Sequence, residues 1–81
     1  MDILECIKHM VDESGISARQ VSRDLGRSPN YLGATFANGS DVGASNAAKI
    51  AKVLGWKMVF KKGNEELEVT PRADSDQGAT D

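Results

Sequence analysis

The chain has 81 residues, 40% of them hydrophobic and 27% charged, with a net charge of −2. That size allows one domain with a small core. One cysteine and one histidine exclude an internal disulfide and a Cys/His metal cluster, which fits a reducing, cytoplasmic setting. No apolar run reaches membrane-spanning length, and the first residues mix charges with aliphatics, unlike a secretory leader.

The charges are unevenly placed. Between Ser14 and Gly63 lie Arg19, Arg23, Arg27, Lys49, Lys52, Lys57, Lys61 and Lys62, against only Asp24 and Asp41. Acids gather at the two ends. A basic centre on an acidic chain is an electrostatic footprint suited to phosphates, or a set of solvated helix faces.

Residues Asp2 to Glu13 read as a first helix. Ile3, Leu4, Ile7, Met10 and Val11 form its apolar stripe, Asp2 is its cap, and Ser14-Gly15 stops it. Cys6 has no base partner nearby and reads as a core or boundary residue, and the lone His9 as exposed.

Two short helices follow. Ser17 with Gln20 three residues on has capping-box spacing, and Gly26 supplies the positive φ that ends the first of them. Ser28-Pro29 reads as the cap and first residue of the second, which spans residues 28–37. Val21 and Leu25, then Leu32 and Phe36, place one apolar face on each, and small Ser22 lets them cross closely. Asn38 to Gly43 is a polar, glycine-rich loop. It serves either as a connection or, through the Gly39 and Ser40 backbone N–H groups, as a phosphate contact. Ala44 to Leu54 is a further core-facing helix through Ala47, Ile50, Ala51 and Leu54, ended by Gly55.

The period then changes from 3.6 to 2. Trp56, Met58 and Phe60 alternate with Lys57, Val59 and Lys61, Gly63-Asn64 is a two-residue turn, and Leu67 and Val69 alternate with Glu66, Glu68 and Thr70. Folding about that turn sets Lys62 opposite Glu65, Lys61 opposite Glu66, Phe60 opposite Leu67 and Met58 opposite Val69. Two strands alone are not stable, so the hairpin either packs on its own helices or meets a second copy. Trp56, Met58, Phe60, Leu67 and Val69 are the candidate dimer interface. Residues 1–70 thus form one domain, with the hairpin at 56–70. Residues 71–81 carry no large apolar side chain and read as a disordered, acidic tail.

Val21, Ser22, Leu25, Gly26, Ser28, Tyr31, Leu32 and the Asn38-Gly39 exit together resemble the helix-turn-helix of the Cro/repressor-type (Xre-like) DNA-binding family. The likeness continues through Ala47 to Gly55 and covers roughly residues 1 to 62. It implies a mainly α fold: a four-helix, Cro/repressor-like domain followed by a C-terminal β-hairpin. It also implies a DNA-binding transcriptional regulator, a repressor acting as a homodimer on a palindromic operator, with the helix of residues 28–37 in the major groove.

On that reading Asn30 is the base reader, with adenine N6/N7 as its natural target. Arg27, Tyr31 and Ala34 are further candidates for base contact; Tyr31 alternatively packs on the helix before it. Ser17, Arg19, Arg23 and Ser28, with Gly39 and Ser40, are the phosphate candidates. Small Gly33 and Ala34 either let the helix sit deep or leave readout to DNA shape. The rival reading is an antitoxin or anti-regulator that grips a partner protein through the hairpin or tail. No Ser/His/Asp or Cys/His pairing, metal-ligand spacing or phosphate-binding glycine motif occurs, so neither an enzyme nor a cofactor is expected.

Overall fold

The computed structural model describes residues 1–72. It has four helices followed by a two-stranded antiparallel hairpin: α1 (Ile3–Ser14), α2 (Ala18–Asp24), α3 (Tyr31–Asn38), α4 (Ala44–Val53), β1 (Met58–Lys62) and β2 (Glu65–Val69). This is the mainly α architecture with a terminal hairpin that the sequence leads one to expect.

The starts of α1 and α2 have local causes. Asp2 caps α1 by accepting from the Glu5 N–H at 2.8 Å, and the Glu5 carboxylate reciprocates at the Asp2 N–H at 3.0 Å. Ser17 caps α2 by accepting from the Gln20 N–H at 3.1 Å. The reciprocal half of that second box is not made: the Gln20 side chain donates instead to Asp24 Oδ1 at 2.9 Å.

The start of α3 differs from the expected one. The helix begins at Tyr31, not at Ser28, and Ser28 is not its cap. The Tyr31 N–H closes a tight turn onto the Ser28 carbonyl at 3.0 Å, so Ser28, Pro29 and Asn30 form a turn before the helix. Asn30 stands at the cap position but makes no side-chain capping bond. The donor left over by this arrangement is satisfied from α2, as described below.

The core is assembled from all four helices. Ile7, Met10 and Val11 of α1 meet Val21 of α2, Leu32 of α3, and Ile50 and Ala51 of α4, with Leu25, Tyr31, Phe36 and Leu54 packed around them. Ala47 and Ala48 are buried as well. These small side chains keep α4 slim, so that α1 and α2 both reach it. Gly55 (φ 83°) turns the chain out of α4, and the Trp56 N–H closes back onto the Ala51 carbonyl at 2.8 Å.

The hairpin register is Met58↔Val69, Phe60↔Leu67, Lys61↔Glu66 and Lys62↔Glu65, the pairing expected from alternation and charge. Gly63 has φ 60° while Asn64 has negative φ, the pattern of a II′ turn. Both strands contact α4. Pro71 is half-buried, and the Arg72 N–H donates to Ser45 Oγ of α4 at 3.1 Å. The rest of the expected tail, residues 73–81, lies outside the described residues.

Candidate nucleic-acid interface

The unit formed by α2, its turn and α3 is held by one buried polar residue. Ser22 has no solvent exposure. Its Oγ donates to the Ala18 carbonyl at 2.7 Å and accepts from the Leu32 N–H at 3.1 Å. The Leu32 amide is one of the orphan donors at the start of α3. Ser22 therefore supplies, from the preceding helix, the cap that Ser28 was expected to give. The Ser22 carbonyl also accepts from the Arg27 N–H at 3.0 Å, and the Gly26 N–H from the turn reaches the Arg23 carbonyl at 2.8 Å. These two bonds complete a Schellman closure around Gly26, whose φ of 77° a side chain would resist. The sequence marked Ser22 only as small. Its signal was the hydroxyl at a position facing the next helix.

The candidate base and phosphate contacts fall into separate groups. Arg19 Nη1 donates to Asn30 Oδ1 at 3.3 Å, so the first turn of α2 and the entry to α3 form one polar edge, two residues past the Ser17 cap. Arg27 goes elsewhere. Its guanidinium lies over the Tyr31 ring at 4.7 Å, and both line a shallow depression with Asn46 and Lys49 of α4, floored by Leu25 and Ile50. Tyr31 is half-buried against the core, so packing is its first duty. Arg23, Ser28 and Ala34 are exposed. The meeting of Arg27 and Tyr31 with Asn46 and Lys49 joins residues far apart in the chain, and no local pattern signals it.

The Gly39 and Ser40 amides are not available as phosphate donors. The Gly39 N–H donates to the Phe36 carbonyl at 3.2 Å and the Ser40 N–H to the Thr35 carbonyl at 3.3 Å. They close the C-terminus of α3, which has the same need for acceptor satisfaction as any helix end. A phosphate contact at this end would use the Ser40 hydroxyl.

The surface of α3 that faces away from the core is small. Gly33, Ala34 and Ala37 are exposed, and a Cβ added at Gly33 would meet nothing within 4 Å. The Thr35 hydroxyl is turned back onto the Tyr31 carbonyl at 2.9 Å. Asp24, the one carboxylate between Ser17 and Ser40, is engaged by Gln20. The edge is thus rich in donors and cations, and its carboxylate is already hydrogen-bonded.

The candidate interface between copies divides too. Met58 and Val69 are half-buried at the end of the hairpin nearest α4, whereas Phe60 is 62% exposed and Leu67 60%. Trp56 is 43% exposed, and its ring meets His9 of α1 edge-on at 6.3 Å. His9, though exposed, also lies 4.0 Å from the Glu13 carboxylate. Among the described residues no group of three or more His, Cys, Asp or Glu is placed to hold a metal, and no helix is long and apolar enough to cross a membrane. No protein-family model, curated protein or solved structure matches the chain.

Proposed function

We propose that the protein is a sequence-specific, double-stranded-DNA-binding transcriptional regulator of the Cro/repressor type, acting in the cytoplasm by occluding a promoter. It presents α3 and the turn before it to a major groove. Two copies joined through the hairpin bind a palindromic operator, their α3 helices about one DNA turn apart. The observation that carries this reading is the α2–turn–α3 unit fixed by Ser22, with Arg19 and Asn30 joined on its open edge.

Titration of the full chain with mixed-sequence duplexes at several salt concentrations tests it. Binding should weaken steeply with salt, because Lys and Arg displace condensed counterions. Arg23→Ala should weaken all duplexes alike and lower the salt slope by about one. A chain that retains no duplex at low salt is not a DNA-binding regulator.

The exposure of Phe60 and Leu67 supports a second reading, an antitoxin or anti-regulator that holds a partner protein such as a toxin on the hairpin. A defined complex with the product of a neighbouring reading frame, with DNA binding absent, would favour it.

A further inference from the structure

We propose that Arg19 and Asn30 act as one donor-only reader of a guanine edge, rather than as a phosphate contact and an adenine contact working separately. The inference rests on the DNA-binding function above and deepens it by naming the base.

An asparagine reads adenine with both ends of its carboxamide. The oxygen accepts from adenine N6–H while the NH2 donates to N7. In this structure the oxygen end faces Arg19, whose Nη1 donates to Asn30 Oδ1 at 3.3 Å. That orientation has a chemical cause. A guanidinium has five donors and no acceptor, so only the carbonyl end of the amide can meet it. The Asn30 NH2 then remains a donor, as do the Arg19 N–H groups not spent on Oδ1. The edge that complements two adjacent donors must carry two adjacent acceptors. In the major groove only guanine offers that pair, as N7 and O6.

Several neighbours are already engaged or carry no donor or acceptor. Gly33, Ala34 and Ala37 bring no hydrogen-bonding side chain to the outer surface of α3. Thr35 is bonded to the backbone, Asp24 is bonded to Gln20, and Arg27 is drawn over Tyr31 toward α4. The geometry is held from behind, since the Ser22–Leu32 hydrogen bond fixes where α3 begins against α2. Arg19 and Asn30 are eleven residues apart, which is why the chain alone suggested adenine: an isolated asparagine has both ends free.

The test is selection from a pool of random-sequence duplexes with the full chain, in the wild type and as Arg19→Ala, Arg19→Lys and Asn30→Ala. Arg19 and Asn30 are exposed, and all three variants should keep the wild-type melting curve. The wild type should enrich a site with a guanine in each half. Arg19→Ala and Asn30→Ala should lose that guanine and keep the other positions. Arg19→Lys keeps the charge and a donor, so it should hold affinity for random duplexes and keep part of the preference for guanine. Replacing the guanine by 7-deazaguanine, which lacks N7, should weaken the wild type roughly tenfold or more and leave Asn30→Ala unchanged. An adenine at the Asn30-dependent position, retained by Arg19→Ala, overturns the proposal. So does an Arg19→Ala protein that loses affinity uniformly and keeps every base preference, for then Arg19 serves a phosphate alone. A wild type that enriches no sequence at all removes sequence-specific reading and this inference together, a result distinct from an enriched site with the wrong base.

Discussion

The α2–turn–α3 unit and the hairpin are specified with similar local clarity, yet they finish differently. In α2 and α3 the apolar face closes within the chain, and the polar atoms at its centre are matched by Ser22, which bonds both its own helix and the next. In β1 and β2 every cross-strand pair has its expected partner, but most of the hairpin remains in water, including Phe60 and Leu67 on one face. Good pairing fixes a register; it does not by itself bury anything. The first region is complete in one copy of the chain, and the second carries apolar surface beyond its need.

The sharpest way to break the contrast is Ser22→Ala. The substitution leaves the Leu32 N–H buried with no acceptor, and an orphaned buried donor costs about 1–3 kcal/mol. For a domain with a core this small that is a large share of the total stability. Urea denaturation should show the loss as a lower midpoint with an unchanged slope. An unchanged midpoint would mean that water reaches Leu32 and that the junction of α2 and α3 is looser than the hydrogen bonds indicate.

Gly33→Ala comes next and should act in the opposite direction. Gly33 lies inside α3 with open space where a Cβ would go. Alanine there should stabilise the fold by about 0.5–1 kcal/mol, because glycine loses more backbone freedom on entering a helix. The added methyl stands on the outer side of α3, so if α3 enters a major groove as proposed, DNA affinity should fall as stability rises. A variant that is more stable and binds equally well would show that the duplex does not approach α3 closely at Gly33.

What could be read from the chain follows the range of the interactions. The order of elements, the Asp2 and Ser17 caps, and the hairpin register arise from neighbours or from a short turn, and all appear where alternation and capping rules place them. The start of α3 is not legible in the same way, because Ser28-Pro29 has the form of a cap and first residue while the backbone uses those residues for a preceding turn. The cap itself comes from Ser22, ten residues before Leu32, and depends on how two helices cross. The candidate site was legible as a set of residues but not as a geometry. Nothing local tells Arg27 to leave Asn30 for Tyr31 and α4, or Arg19 to join Asn30. The Gly39 and Ser40 amides were offered to phosphate because a glycine-rich loop exposes donors, yet the end of α3 claims them first.

Phe60→Ser combined with Leu67→Ser should have the smallest effect on the fold of one chain and the most telling effect on assembly. Both side chains are mostly in water, so their loss should change the stability of a single chain by no more than about 0.5 kcal/mol. If the hairpin joins two copies, the same change should turn a dimer into a monomer by light scattering, while low-salt binding to random duplexes survives and operator affinity drops. The drop follows because the second α3 is no longer delivered by the first. The rim of this face supports a second copy as the occupant. Lys62 and Glu65 lie on the same face as Phe60 and Leu67, so across a two-fold axis each charge can meet its opposite. A wild type that is monomeric at all concentrations, with or without DNA, would reject the dimer and leave the apolar face to another protein.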